Sequence, residues 1–294
     1  MTLIGAFKCR DGAVLFADGQ ETIPDYAKFA VDKIYSHWGR GFRVLMTAAG
    51  ESDPIEMLWD EVTEQLKNSG ESKSPALKSL IARTVAKVTK KCLMPWPKDS
   101  RPSVEGIWII QQEEPGIDSI AMFRTRDLSV NSIKHHFFAG NPILITRYIS
   151  DLYLEGVPPL GVDEAEALAA FILWEAKTYD PYCGKQSDII TLTVDGEIRW
   201  VFRQEAAYWE EHFALYKKSQ RFMPLLTCAG PKLEGLYREQ LERFVQTIKF
   251  LASEQKKMRR CGGAFHASLE GRLVNTLAKK KTKQSASRKS EGPK

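Results

Sequence analysis

Hydrophobic positions in the first fifty residues form short runs separated by polar turns, a pattern typical of β-hairpins. Apolar runs at 2–9 and 13–17 are joined through Arg10-Asp11-Gly12. Asp-Gly between two such runs is a strong hairpin signal. A second pair of runs, Lys33–Ser36 and Phe42–Ala49, flanks a turn that contains glycine. We therefore predict that the chain opens with two β-hairpins.

From Asp53 onward the apolar spacing changes to that of amphipathic helices. Two stripes recur at intervals of three and four: Ile55, Leu58, Trp59, Val62 and Leu66, then Leu77, Leu80, Ile81, Val85 and Val88. Strands are predicted next at Val104–Ile110 and Ser119–Phe123, with extended chain to Phe138. Two helices follow at Ile143–Leu154 and Asp163–Thr178, and a third hairpin is formed by Asp188–Val194 and Glu197–Phe202. Such segregated blocks favour an α+β layered domain over an alternating parallel α/β fold.

The C-terminal part of the chain has a different composition. Past residue 203 long helices are predicted, with a stripe at Tyr237, Leu241, Phe244, Ile248 and Leu251. This stripe favours a helix docked on the body over a contact helix between subunits. Residues 256–294 hold 12 Lys or Arg against two acidic residues, so the +5 charge of the whole chain comes from this segment. We predict a domain at 1–202, a helical extension at 203–258 and a disordered basic tail at 259–294.

Composition narrows the class of protein. At 43% hydrophobic and 10% aromatic, the chain has enough apolar surface for a packed core. No apolar stretch reaches membrane-spanning length, and Met1–Cys9 lacks the features of a signal peptide, so we expect a soluble cytoplasmic protein. Five widely spaced cysteines without a Cys-x-x-Cys pair indicate neither a disulfide framework nor a zinc site, and no metal or cofactor is predicted. The basic tail has no interleaved aromatic residues, which favours a solvated segment over nucleic-acid binding.

Thr2 is the candidate nucleophile. Methionine is normally removed when the next side chain is small, which would leave Thr2 with a free α-amine beside its hydroxyl. An α-amine in an unstructured peptide has a pKa of about 7.7–8.0, so part of it is neutral at cellular pH and can accept the hydroxyl proton. An N-terminal amine is a known activator of a Thr nucleophile. Thr2 could therefore carry both nucleophile and base.

Asp18 and Lys33 are predicted to lie beside Thr2. Asp18 ends the second predicted strand and Lys33 begins the third, and both strands can lie next to the first. A Lys ammonium near the terminal amine would lower the pKa of that amine, and Asp18 would hold the ammonium in place. Alone the two residues are typical of an ordinary ion pair. Their coincidence with Thr2 favours a catalytic group.

The motifs around these residues occur in an order that is similar to a known family. They are Thr2-Leu3-Ile4-Gly5 followed by Asp11-Gly12-Ala13-Val14-Leu15-Phe16-Ala17-Asp18, then Lys33-Ile34, Ala48-Ala49-Gly50-Glu51-Ser52-Asp53, and Asp180-Pro181-Tyr182-Cys183-Gly184. Together, over residues 2–202, they resemble the proteasome β-subunits, which are N-terminal-nucleophile hydrolases and include self-compartmentalising bacterial peptidase rings. This resemblance implies a four-layer αββα sandwich, here with a C-terminal helical extension.

The resemblance also implies catalytic roles. Thr2 would attack the carbonyl, its amine would shuttle the proton, and Lys33 with Asp18 would tune that amine. The oxyanion needs a backbone N–H where charge develops. An ungapped match puts this donor at Ala49, whereas matching glycine to glycine puts it at Gly50, and both alternatives stay open.

Other positions follow from the same resemblance. Asp180 would support the terminal amine, together with Cys183 and Asn141, which stand where the family usually has serines. A thiol is a weaker hydrogen-bonding group than a hydroxyl, so these two departures alter the support of the amine. Thr22 would bind the substrate main chain as an added strand. The side-chain pocket would be lined by Glu21, Val31, Tyr35 and Ala48, a mixed lining that indicates no clear cleavage preference.

The resulting functional hypothesis is a threonine-type peptidase that cleaves amide bonds through an acyl-enzyme on Thr2. Expected partners are a peptide or protein substrate and further copies of the chain in a ring or stacked assembly, with the question of an unfoldase left open. Two alternatives remain: an amidase acting on a small-molecule amide, and a noncatalytic assembly subunit. In the second, residues 203–258 would make contacts and the basic tail would recruit a partner.

Overall fold

The computed structural model describes residues 3–23, 27–113, 119–140, 158–201 and 203–220, with shorter pieces at 146, 149, 154–155, 242, 245–247, 249–250 and 253. The chain divides into two compact units, residues 1–206 and 207–294. The first unit contains nearly all of the regular structure in the described residues.

Twelve strands and four helices follow one another along the described segments. The strands are β1 (Leu3–Lys8), β2 (Gly12–Asp18), β3 (Gln20–Ile23), β4 (Ala27–Ala30), β5 (Ile34–Gly39), β6 (Phe42–Gly50), β7 (Val104–Gln112), β8 (Ile120–Arg126), β9 (Ser129–Ser132), β10 (His136–Gly140), β11 (Ser187–Thr193) and β12 (Ile198–Val201). The helices are α1 (Ser52–Asn68), α2 (Ser74–Val88), α3 (Val162–Tyr179) and α4 (Arg203–Gln220), with a π-helical turn at Thr89–Leu93 and a 3₁₀ turn at Lys98–Ser100.

Two five-stranded antiparallel sheets dominate the first unit. One sheet has the order β10-β1-β2-β11-β12 and the other β5-β6-β7-β8-β9, while β3 and β4 form a separate hairpin. In the first sheet Ile4 pairs with Ala17, and in the second Ile34 pairs with Thr47. This mixed arrangement of antiparallel sheets and helices confirms the predicted α+β class.

Apolar side chains bury both faces of the central strands. One core cluster joins residues of both sheets, including Ile4, Leu15, Leu45, Ile109 and Ile190. On β6 the alternate residues Val44, Met46 and Ala48 belong to a second cluster with α1 and α2. Helix α3 contacts β1, β2 and β11. Because central strands are covered on both sides, they read in the sequence as nearly continuous apolar runs.

The predicted elements compare closely with the observed ones. The three predicted hairpins are found as β1–β2, β5–β6 and β11–β12, and the three helices predicted at 53–66, 77–88 and 163–178 are found as α1, α2 and α3. The sequence pattern does not predict the β3–β4 hairpin, because the run through Thr22 reads as a continuation of β2. The helix predicted at Ile143–Leu154 lies largely outside the described residues. The stripe at 237–251 does so too, and the tail lies wholly outside them.

The helices of the described segments are short or polar for their length. None of them combines the length and the apolar character that crossing a bilayer requires.

Candidate functional site

Asp18, at the end of β2, is the centre of the candidate site. Its side chain is fully buried. Oδ1 accepts hydrogen bonds from the Leu3 backbone N–H at 2.8 Å and from Lys33 Nζ at 3.3 Å. Oδ2 accepts from the backbone N–H groups of Gln20 at 3.3 Å and Gly184 at 3.2 Å. A buried carboxylate is tolerated only when it is paired and hydrogen-bonded, and four donors meet that requirement here.

Lys33 supplies the positive charge of the site from the residue before β5. Nζ forms an ion pair with Asp18 and also donates to the backbone carbonyl of Gln20. Burial lowers the pKa of Lys33, while the neighbouring Asp18 carboxylate opposes that shift. The ammonium is therefore held by two acceptors in a poorly solvated position.

The loop that follows α3 closes the site from the other side. Asp180 ends the helix, and its Oδ1 accepts from the Tyr182 backbone N–H at 2.8 Å. Its carbonyl accepts from the Cys183 N–H at 3.1 Å. An Asp side chain that bonds the backbone two residues on is a common way to stabilise a turn. Asp180 thus fixes the conformation of the loop that carries Cys183.

Cys183 is buried within this loop, with 4% of its surface exposed. Burial raises the pKa of the thiol to about 12, and the Asp18 and Asp180 carboxylates act in the same direction. Lys33 only partly opposes this shift. The thiol is therefore neutral at physiological pH, and a neutral thiol is a weak donor rather than a nucleophile.

The oxyanion candidates lie at the end of β6. β5 pairs with β6 as far as Ile34 opposite Thr47, so Ala49 and Gly50 extend past the start of β5, where Lys33 lies. Ala49 is buried and Gly50 is exposed. Gly50 has φ +138°, and an added Cβ would overlap the carbonyl oxygen of Ser103. Only glycine fits this position.

The predicted substrate-binding residues are placed around the same end of the strands. Glu21 lies on β3, Val31 donates from its N–H to the Gly19 carbonyl at 3.0 Å, and Ala48 is buried on β6. Tyr35 packs on Trp59 with ring centroids 5.5 Å apart.

Charges on neighbouring elements affect Tyr35. Burial and the carboxylates of Glu56, Glu21 and Asp60 raise its pKa. The carboxylate of Glu21 also acts on the pKa of Lys33. Glu21 therefore lies in the electrostatic environment of both Lys33 and Tyr35.

Three predicted site residues are described in part or not at all. Thr2 and Asn141 lie outside the described residues. For Thr22 the backbone is described, in β3 opposite Lys28, but its side chain is not. Thr2 is nevertheless bonded directly to Leu3, whose N–H binds Asp18.

Gln20 is a site residue that the sequence pattern does not reveal. It is 3% exposed, and its backbone contacts both Asp18 and Lys33. Its side-chain Nε2 donates to the Pro181 carbonyl at 3.3 Å. Because glutamine is usually a surface residue, its residue type does not indicate a buried role. Only its position two residues after Asp18 could have marked it as a site residue.

The His136 side chain packs against aromatic rings and does not lie in a group of potential metal ligands among the described residues. Its ring lies 6.4 Å from Phe7 and 5.3 Å from Phe138. Burial lowers the pKa of His136, and the charge of His135 adds to the shift. No group of three or more potential metal ligands occurs in the described part of the chain.

Comparisons with known proteins identify the fold. No protein-family model and no curated protein matches the sequence. Among solved structures, Anbu from Yersinia bercovieri, described as an ancestral beta-subunit, aligns with a TM-score of 0.62 and 11% identity, over 78% of this chain and 98% of that one. A helical assembly of the Anbu complex from Pseudomonas aeruginosa aligns with a TM-score of 0.64 and 14% identity, again over 78% of this chain and 98% of that one.

A third similar structure is the Gly-1 mutant of Anbu from Hyphomicrobium sp. strain MC1. Its TM-score is 0.59 at 13% identity, over 73% of this chain and 95% of that one. At such identities the likeness establishes a shared fold and nothing finer. The chain thus has a proteasome-like fold.

Proposed function

We propose that this protein is a threonine-type N-terminal-nucleophile hydrolase, a proteasome-like peptidase that forms an acyl-enzyme on Thr2. One observation carries the proposal: the N–H of Leu3, the residue bonded to Thr2, binds the same carboxylate oxygen as Lys33 Nζ. A buried ion pair adjoins the start of β1. A purely structural subunit gains little from such a pair, because replacing it with apolar residues is often neutral or stabilising.

The proposed reaction begins after Met1 is removed. The Thr2 hydroxyl transfers its proton to its own α-amine as its oxygen attacks the carbonyl carbon of an amide. The tetrahedral intermediate collapses by breaking the C–N bond, and the protonated amine gives the proton to the leaving nitrogen. Water then hydrolyses the ester by the same proton transfers. Atoms and charges balance without a metal or cofactor.

Lys33 and Asp18 tune this proton transfer. A nearby ammonium disfavours protonation of the α-amine and so keeps more of it as free base at neutral pH. Asp18 orients that ammonium through its ion pair. Hydrogen bonds from Leu3, Lys33, Gln20 and Gly184 hold both of its oxygens in place. Asp18 therefore acts as a fixed counter-charge rather than as the base.

The remaining roles belong to the same proposal. A backbone N–H at Ala49 or Gly50 would bind the oxyanion, since both lie past the start of β5 near Lys33. Asp180, Cys183 and Asn141 would support the amine. A substrate strand would add along Thr22, with side chains directed toward Glu21, Val31, Tyr35 and Ala48. The fold would be the four-layer αββα sandwich of this family, with the extension at 203–258 and the tail at 259–294.

Self-assembly is also part of the proposal. A structure with the same fold is described as a helical assembly, which supports a homo-oligomeric state for this chain. A cytoplasmic location remains part of the proposal. Light scattering of the purified protein tests this point separately from catalysis.

Intact-mass measurement tests the hydrolase. The purified protein is incubated with and without an epoxyketone, which reacts with both the hydroxyl and the amine of an N-terminal threonine. We expect loss of Met1 and one adduct. Thr2→Ser keeps a hydroxyl and should still react, whereas Thr2→Ala should not. Retained Met1, or no adduct on the trimmed chain, would refute the hydrolase.

A noncatalytic assembly subunit is the second candidate. The neutral, buried Cys183 favours it, because a thiol supports a protonated amine less well than a serine hydroxyl. A trimmed chain that forms oligomers but takes no adduct would support this candidate. A small-molecule amidase would instead take the adduct and hydrolyse simple acyl amides while leaving peptides intact.

A further inference from the structure

We propose that Gln20 is a positioning residue that locks the loop at 180–184 against the Asp18–Lys33 pair. This inference rests on the proposed function for its catalytic consequence. Its structural part, the locking of the loop, stands independently of that function.

The backbone of Gln20 contacts both members of the ion pair. Its N–H donates to Asp18 Oδ2 at 3.3 Å, and its carbonyl accepts from Lys33 Nζ. The first contact fixes one oxygen of the carboxylate, and the second fixes the ammonium. Any displacement of this residue therefore moves the charges on both sides of the pair.

The side chain of Gln20 reaches a part of the chain about 160 residues away. Nε2 donates to the Pro181 carbonyl at 3.3 Å. Oε1 lies so close to Gly184 that an added Cβ on that residue would overlap it. The Gly184 N–H in turn donates to Asp18 Oδ2 at 3.2 Å. Gln20 and the loop thus hold the same carboxylate oxygen through two backbone donors.

Loss of the contact between the Gln20 side chain and Pro181 should alter the Thr2 amine through the loop, Asp18 and Lys33. When the Pro181 contact is removed, we expect the loop to be held less firmly, so that the Gly184 N–H leaves Asp18 more often. Among the described residues, the groups that act on the pKa of Lys33 include Asp18 on β2, Glu21 on β3 and Cys183 in the loop. A displaced loop changes these distances, and a less firmly held ammonium lowers the pKa of the Thr2 amine less. The pH midpoint of acylation should therefore rise.

Three variants separate positioning from simple loss of stability. Gln20→Met keeps the length of the side chain but removes the donor. Gln20→Glu keeps the shape, removes the donor when ionised, and adds a negative charge. The control is Gln111→Leu, because Gln111 is also buried, 1% exposed, and donates to a backbone carbonyl, that of Thr193, at 2.8 Å. It lies on β7, in the sheet that does not contain Asp18.

Two measurements are made on full-length protein. Hydrogen exchange of the Gly184 amide is followed by NMR after labelling with ¹⁵N-glycine. We expect it to quicken about five- to tenfold in Gln20→Met, as loss of one hydrogen bond predicts. The rate of epoxyketone adduct formation is measured against pH. We expect its midpoint to rise in Gln20→Met and further in Gln20→Glu, while Gln111→Leu lowers the urea midpoint and leaves both readouts unchanged.

The outcomes distinguish the two proposals. Unchanged Gly184 exchange in Gln20→Met overturns the role of Gln20, whatever the adduct shows. Faster exchange without any adduct in the unaltered protein keeps the structural lock but refutes the hydrolase. Faster exchange with an unchanged pH midpoint, or equal effects in Gln111→Leu, overturns positioning in favour of a general effect on stability.

Discussion

Two partly buried polar clusters lie at opposite ends of the strands in the first unit, and they differ in chemistry. The site cluster comprises Asp18, Gln20, Lys33 and Gly184. The bridging cluster comprises Arg43, Gln111, Thr193 and Gly196, and it joins the β6–β7 side to the β11–β12 turn.

None of the four members of the bridging cluster is acidic. Arg43 donates to the Gly196 carbonyl and to Gln111 Oε1 at 3.4 Å, and its guanidinium lies 4.6 Å from the centre of the Trp38 ring. Its members include no carboxylate, imidazole, lysine or thiol, so this cluster offers no general acid or base. It can only hold the two sheets together.

The site cluster has the opposite character. Its cation is a lysine, whose pKa shifts readily on burial, and its anion is a carboxylate beside the start of β1. The two polar clusters therefore serve different purposes at the two ends. The comparison predicts that changes at the site end alter reactivity, whereas changes at the bridging end alter only stability.

Replacing Asp18 should give the largest effect. Asp18→Asn removes the counter-charge of Lys33 and should lower the free energy of unfolding by about 3 kcal/mol, as expected for a broken buried pair. The rate of adduct formation at Thr2 should fall at least about 100-fold, because Lys33 is no longer held in the position from which it lowers the pKa of the Thr2 amine. Urea unfolding and intact mass measure the two effects. A stable variant that reacts normally would remove Asp18 from the mechanism.

Replacing Arg43 is the matched change at the bridging end. Arg43→Met leaves the Gln111 and Gly196 oxygens without this donor and should cost about 1–3 kcal/mol in urea unfolding. The rate of adduct formation should stay within about twofold of the unaltered protein. A loss of reactivity as large as that of Asp18→Asn would show that the two ends are coupled, and the contrast would fail.

The pH dependence of stability should separate the clusters further. The pKa of Lys33 is lower in the folded protein than its ordinary value of 10.5, so between those two values the unfolded chain binds more protons. Stability from this group therefore rises with pH in that window, with a slope of at most about 1.4 kcal/mol per pH unit.

Variants isolate this contribution from that of other titrating groups. Urea unfolding at a series of pH values below 10.5 should show the slope in the unaltered protein and in Arg43→Met, but not in Lys33→Met. An identical pH profile for all three proteins would contradict the assignment.

Replacing Cys183 should give the smallest effect. Cys183→Ser exchanges a neutral thiol for a stronger hydrogen-bonding group of similar size. We expect adduct formation to quicken about two- to fivefold, with a change of less than about 1 kcal/mol in the free energy of unfolding. A slower reaction would indicate that the thiol is adapted to this site. Intact mass over time provides the rate.

Local patterns make much of the fold predictable. The Asp11-Gly12 and Asp195-Gly196 turns mark two hairpins, and Asp18 and Lys33 are expected to meet because each terminates or begins a strand that can lie next to β1. These inferences need only strand alternation and turn chemistry.

The long-range contacts of the site are not predictable in the same way. The contact between Gln20 and Pro181 spans about 160 residues and uses a backbone carbonyl, which has no sequence signature. The β3–β4 hairpin escapes prediction because Gln20–Ile23 is a short, largely polar segment that does not form an apolar run of its own. Side-chain patterns report burial and turns, but they do not report which backbone groups bind each other.

The position of β1 within its sheet has a practical consequence for protein production. β1 begins at Leu3 and is paired on one side with β2 and on the other with β10, so this strand lies inside the sheet rather than at its edge. A purification tag fused ahead of Leu3 would emerge beside Asp18 and block any trimming of Met1. Affinity handles and fluorescent fusions therefore belong downstream of the two sheets rather than ahead of β1.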